Sequence, residues 1–342
     1  MILINVLGRI EMNDILKQYK STVTLIGVGL IIFSLLINTL FSAYYIIDEL
    51  LYTIASDQVY EVVVSILYDI AYLLSFMVPA VIIRLFLRKK NQQPVRFEVK
   101  LSWKIFAMIF ACVFCCFAFS FLNSMIVSLF DSPYEDMFNY YLPPMSDVGI
   151  ILQFITIAFV PAFCEEFLFR GVVLSNLMPY GKSAAIIISS ICFGLMHGNF
   201  YQFLYTTVAG IFLGLIYAET GSIWPSTIAH MINNAISVLQ TVMYERMEEN
   251  YATLFSLLMD SLIFFVGIIS IIYLVKKLKS RKKSLNVVYG MPINADYTEE
   301  SAPICTDNNI PAKEAFKLFM CFPIVIFAVY NILQAALALL IM

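Results

Sequence analysis

Charge is scarce in this chain. Asp, Glu, Lys and Arg make up 13% of its 342 residues, about half of the roughly 25% usual in a soluble domain. Apolar residues supply 61% and the mean hydropathy is +0.85, more apolar surface than a soluble fold can cover. The alternating segments of an outer-membrane barrel are lacking as well. With a net charge of −3 and an apolar composition, nucleic acid is not an expected partner. Histidine occurs twice. His-Glu-x-x-His, the usual zinc-peptidase signature, is absent, and no serine sits in a nucleophile-elbow context. Six of the seven cysteines, Cys112, Cys115, Cys116, Cys164, Cys192 and Cys321, lie in apolar runs, with only Cys305 in a polar segment. Such thiols pack as small hydrophobes, and they lack the electropositive setting that would activate them.

What the sequence does have is long apolar runs. They fall near residues 22–47, 59–87, 105–130, 148–169, 184–200, 202–218, 224–243, 253–275 and 315–341, most of them close to the roughly 20 residues that cross a hydrocarbon core as a helix. The expected fold is therefore all-α, a polytopic transmembrane helix bundle of about nine helices, an eight-helix body plus a C-terminal one. No internal repeat is visible. The first 20 residues carry Arg9, Glu11, Asp14, Lys17 and Lys20, so no cleavable signal peptide is expected and the first apolar helix acts as its own insertion signal. Lys and Arg cluster at 88–104 and 276–283, whereas the loops with Asp48 and Glu49, with Asp131, Glu135 and Asp136, and with Glu245, Glu248 and Glu249 are acidic. The positive-inside rule puts the basic loops and the N-terminus in the cytoplasm and the C-terminus outside, in a membrane expected to be a bacterial plasma membrane. Five segments follow: N-terminal helices at 1–147, a core at 148–245, a helix with a basic end at 246–283, a flexible cytoplasmic linker at 284–314, and a last helix at 315–342. Membrane lipids are the expected surroundings.

Ionisable groups inside a bilayer span are costly and mark function. Glu165-Glu166-x-x-x-Arg170 sets Glu166 and Arg170 one helical turn apart, leaving Glu165 about 100° round the helix and chemically available. His197 ends Phe193-x-x-x-His197, and His230 stands one turn from Asn234. Counted from the cytoplasmic ends of their spans, Glu165 lies at roughly 15–20 Å, His197 near about 20 Å and His230 near about 12 Å. Three helices thus aim a carboxylate, two imidazoles and a carboxamide into one cavity, expected to open to the cytoplasm. Pro161, one turn before the glutamates, is expected to kink their helix.

This set suits acyl-group hydrolysis by a water activated at a glutamate and a histidine, with a second histidine and an amide stabilising the oxyanion. The rival mechanism uses Zn2+ held by Glu165 or Glu166 with His197 and His230. The residues alone leave both open.

The three motifs, in this order on successive helices, resemble those of the CAAX protease and bacteriocin-processing (CPBP, or Abi) family of intramembrane peptidases over residues 148–245. The resemblance implies Glu165 as the base that activates water with His197, an oxyanion site at His230 and Asn234, and supporting roles for Glu166 and Arg170. It also implies a membrane-anchored or hydrophobic peptide as substrate, and it leaves the mechanism open between zinc-dependent and metal-free. The eukaryotic branch trims prenylated proteins, and bacterial members are linked to bacteriocin immunity and peptide maturation. The linker and ninth helix depart from the eight-helix plan. Two other classes stand beside this reading: a non-catalytic immunity or scaffold protein that keeps the fold, and a transporter, which would call for the inverted repeats that are missing.

Overall fold

The computed structural model describes residues 2–87, 92–127, 146–288 and 310–341. Arg88, Lys89 and Lys90, the acidic loop with Asp131, Glu135 and Asp136, and Cys305 lie outside the described residues. All described elements are helical: α1 (Ile2–Ile54), α2 (Asp57–Phe86), α3 (Trp103–Val127), α4 (Asp147–Tyr180), α5 (Lys182–Leu195), α6 (Phe200–Thr220), α7 (Ile223–Arg246), α8 (Glu249–Val288), α9 (Ala312–Phe319) and α10 (Phe322–Ile341). The chain is an integral membrane protein.

Six described helices are long and apolar enough to cross a membrane, and a seventh span results if α9 and α10 count as one. The two expected spans that fall short carry the histidine motifs. Helix α5 has only 14 residues, and α7, although 24 residues long, is too polar because His230, Asn233 and Asn234 interrupt its apolar run. The last expected span is broken. Helices α9 and α10 meet at 71°, because Pro323 supplies no N–H and belongs in the first turn of a new helix. Helix α9 instead carries Lys313, Glu314 and Lys317 on one face and buries Ala315 and Phe319 on the other, the pattern of an interfacial helix. Helix α8 continues to Val288 and α9 begins at Ala312, both inside the bounds expected for the linker.

Between lipid-embedded helices no hydrophobic force acts, so close packing and interhelical hydrogen bonds do the holding. Two packed clusters result. One joins α1, α2, α4, α5, α9 and α10 around side chains such as Phe33, Phe76, Phe169 and Phe327. The other joins α3, α6, α7 and α8 through Ile109, Val113, Leu213, Ala229 and Ile263. Helices α5 and α6 tie the two together by small residues: a Cβ at Gly210 would lie 3.1 Å from the Ser190 Cα, and one at Gly214 3.2 Å from Ile186 Cγ2. The G-x-x-x-G pair therefore serves packing inside the bundle.

Helix α10 runs parallel to α1. Tyr19 donates to the Ala315 carbonyl at 3.0 Å, Asn331 to Ser34 Oγ at 3.2 Å and Gln334 to Asn38 Oδ1 at 2.8 Å. Gly27 makes the approach possible, because a Cβ there would stand 2.8 Å from Pro323 Cβ and 3.0 Å from the Ile324 backbone nitrogen. Gly27→Ala is therefore expected to push α10 off α1 and to lower stability by about 1–3 kcal/mol, as overpacking does, read as a lower unfolding temperature in detergent.

Candidate functional site

The glutamates sit on the least regular helix of the bundle. Within α4 the α-helical turn Val160–Glu166 lies between two π-helical stretches, Phe154–Phe159 and Phe167–Leu174. Such wide turns are rare and concentrate at functional sites. Pro161 supplies part of the cause. Having no N–H, it cannot bond the carbonyl four residues back, which is that of Ile157. That oxygen accepts from Asn234 Nδ2 at 3.2 Å, so the irregularity of α4 and the amide of α7 are fitted to each other.

Glu166 and Arg170 are buried behind the site, 0% and 1% exposed. Their ion pair closes at 2.8 Å, as the four-residue spacing requires. Arg170 is held further by the Gly210 carbonyl at 3.1 Å and by the face of Phe193, whose ring centre lies 4.5 Å from the guanidinium carbon. The second contact of Glu166 is His230 Nδ1, 3.2 Å from Oε1. A carboxylate accepts only, so Nδ1 carries the proton and Nε2 turns toward Glu165, 3.8 Å from its Oε2. His197 is fixed in the same manner. Its Nδ1 lies 2.9 Å from the Phe193 carbonyl, which must accept, so the unprotonated Nε2 is left to bond elsewhere.

Glu165 itself has one partner the sequence did not disclose. Tyr72, from the middle of α2, donates a short hydrogen bond to Glu165 Oε1, while Oε2 has no hydrogen-bond partner. Tyr72 is one of 20 tyrosines, most of which read as interfacial bulk. Its one distinguishing signal is a position deep in a span. A second addition is Asn233, which donates to Tyr205 Oη at 2.8 Å beside Asn234.

Glu165, His197, His230 and Asn234 all line one cavity of 340 Å3, within the range of ligand sites. Glu166 and Arg170 do not reach it. The cavity lies on the seam between the two packed clusters, with α3, α6 and α7 on one side and α4 and the α5–α6 turn on the other.

Two expectations change. His197 does not stand in a straight span: α5 ends at Leu195, and His197 occupies the turn before α6. Gly198, at φ +61°, and Asn199, which caps α6 by accepting from Gln202 N at 3.0 Å, make that turn. The cavity, moreover, does not run to the basic end of the bundle. Its wall continues from the histidines to Ser124, Tyr201 and Ser237 at the opposite end. The depth of each motif was legible, but which way the polar faces of α3 and α6 turn was not.

The metal donors also fail to assemble. Among the described residues no three His, Cys, Asp or Glu side chains come together as a metal-holding group. Of the four side chains weighed for zinc, Glu166 is tied to Arg170 and His230.

Residues 147–236 match a protein family described as type II CAAX prenyl endopeptidase Rce1-like. The matched segment holds all three motifs. In Bacillus subtilis (strain 168), the protein named "Putative membrane peptidase YdiL" is 31% identical over 94 residues, which is 27% of this chain and 38% of that relative. The match thus spans well under half the length of the relative. No solved structure matches the chain. The Rce1-like segment is also consistent with the CPBP resemblance and covers every motif residue from Glu165 to Asn234.

The buried Glu166 carboxylate depends on Arg170. Arg170→Leu is expected to cost about 3–5 kcal/mol by leaving that charge uncompensated. The double variant with Glu166→Leu removes both charges and is expected to recover much of the loss. Thermal unfolding of the two in one detergent checks this.

Proposed function

We propose that the chain is an intramembrane endopeptidase that hydrolyses a membrane-anchored or hydrophobic peptide by direct attack of water. The observation that carries this reading is Glu165, whose buried Oε2 has no hydrogen-bond partner, lining one cavity together with His197. A water donating one hydrogen to each is left with its lone pair directed at a carbonyl carbon. Glu165 takes the proton as the carbon–oxygen bond forms, and returns it to the leaving amine as the peptide bond breaks. Tyr72 holds the other carboxylate oxygen, which keeps Oε2 turned to the water. The oxyanion falls to Asn234, whose amide has a second N–H beyond the one given to Ile157, with His230 beside it. Glu166 and Arg170 set the orientation of that imidazole. No step passes through a metal.

The membrane setting of the Rce1-like segment supports the same reading. A binding or immunity protein has no need of a carboxylate oxygen left unpartnered in a buried site, where such a group costs stability.

The test is cleavage of a panel of membrane-anchored and prenylated peptides by the purified chain. Glu165→Ala and His197→Ala are expected to lose at least about 100-fold in kcat, the lower range for an acid–base group. Tyr72→Phe, which leaves the base but frees it to turn, is expected to lose about 5- to 30-fold in kcat with KM little changed, the equivalent of one hydrogen bond. Cleavage is expected to persist in a chelator. Inert wild type across the panel, with the protein folded, would favour the immunity reading.

A further inference from the structure

The cavity has a direction, and four contacts define it. At one end of the bundle Glu219 bonds both Lys104, at 3.3 Å, and Lys182, at 3.0 Å, which sets the start of α3, the start of α5 and the end of α6 on one level. At the other end Asn123 of α3 donates to the carbonyl of Tyr201 at 2.7 Å, and Arg246 reaches Asp147 at 3.3 Å. At about 1.5 Å per residue, Leu213 lies about 9 Å from the Glu219 level, Cys116 about 18 Å, Tyr201 about 27 Å and Ser124 about 30 Å. Along α7, His230 lies about 10 Å from Ile223 and Ser237 about 21 Å.

Burial follows the same axis. The lining side chains nearest the Glu219 level are closed off: Leu213 is 2% exposed, Cys116 4%, Ala209 6% and His230 9%. Those farthest from it open, with Ser124 and Ser237 exposed. The floor of the cavity is thus toward the end that carries Arg96, Lys100, Lys104, Lys276 and Lys277, and its mouth is toward the end that carries Asp48, Asp57 and Glu248. The basic end faces the cytoplasm by the charge rule.

We propose that the active site is reached from the non-cytoplasmic face of the membrane, and that its substrate is a peptide segment already translocated to, or presented from, that face. The lining fits an extended main chain. Asn123, Gln202, Asn233 and Asn234 offer amide donors and acceptors, and among the described lining residues no Lys or Arg stands ready for a free C-terminal carboxylate. The cleaved bond therefore lies within a chain, held by its backbone amides. This inference rests on the peptidase reading for the word substrate. The route itself does not depend on it.

Thiol labelling of the full chain in cells tests the route. In a background with all seven native cysteines replaced by serine, Ser124→Cys and Ser237→Cys mark the mouth and Ser102→Cys, exposed at the basic end, marks the other side. A membrane-impermeant maleimide added to intact cells is expected to label the first two variants, and to label Ser102→Cys only after permeabilisation. Labelling of Ser102→Cys alone in intact cells overturns the proposal, as does failure of both mouth variants to react on either side while the protein remains folded. Cleavage by the purified chain, where both faces are open, reports on the peptidase reading separately. A chain that labels as expected and cuts nothing keeps the route and loses the peptidase.

Discussion

The buried pair of Glu166 and Arg170 is the constraint on which the rest of the site depends. Neither charge can exist alone in a helix bundle surrounded by lipid, where an unpaired ion is costly. Together they leave one acceptor position free, and His230 takes it at 3.2 Å. The guanidinium meanwhile reaches across to the Gly210 carbonyl and the Phe193 face, which ties α4 to α5, α6 and α7 at one point. A single ion pair thereby sets the position of three helices and the protonated nitrogen of one imidazole. Glu165, the next residue back, is placed by the same helix but excluded from the pair, and this exclusion is what makes it available.

The seam between the two packed clusters explains where the cavity forms. Lipid gives helices no reason to associate beyond packing and polar contact, so a gap persists only where polar side chains hold its walls apart and water or ligand can satisfy them. Helix α4 meets this need by losing regularity on both sides of its glutamates. Pro161 removes one main-chain bond, and Asn234 occupies the carbonyl so released.

What the sequence made legible was local. The spacing of Glu166 and Arg170, the single face shared by His230 and Asn234, and the packing role of Gly210 and Gly214 all follow from helical periodicity, and each is present. Features that depend on tertiary placement were not legible. Tyr72 looks like any of 20 tyrosines until α2 is laid beside α4. The turn at His197 was hidden because Phe193 to His197 is apolar and the break comes from Gly198 and Asn199, which a hydropathy reading absorbs into the span. Six or seven spans, not nine, meet the length and hydropathy requirement among the described residues for a related reason. Hydropathy registers the lipid-facing helices best, such as α8, and registers worst the helices that carry polar chemistry inward.

Such a protein has to remain stable while carrying a polar cavity. Helices α5 and α7 are individually poor membrane spans, one too short and the other too polar, so neither is held in place by its own transfer into lipid. Both depend on neighbours. Helix α5 is gripped by α6 at Gly194, where a Cβ would lie 2.9 Å from the Phe203 carbonyl, and its far turn is backed by α10, whose Asn331 and Gln334 approach Gly198. Helix α7 is gripped by Arg96, whose carbonyl accepts from Ile223 N at 3.1 Å, and by the Glu166–His230 contact. The C-terminal helix, which lies outside the family-matched segment, thus braces the turn that carries His197. Its hydrogen-bonded alignment with α1 converts the most apolar part of the chain into support for the least apolar part.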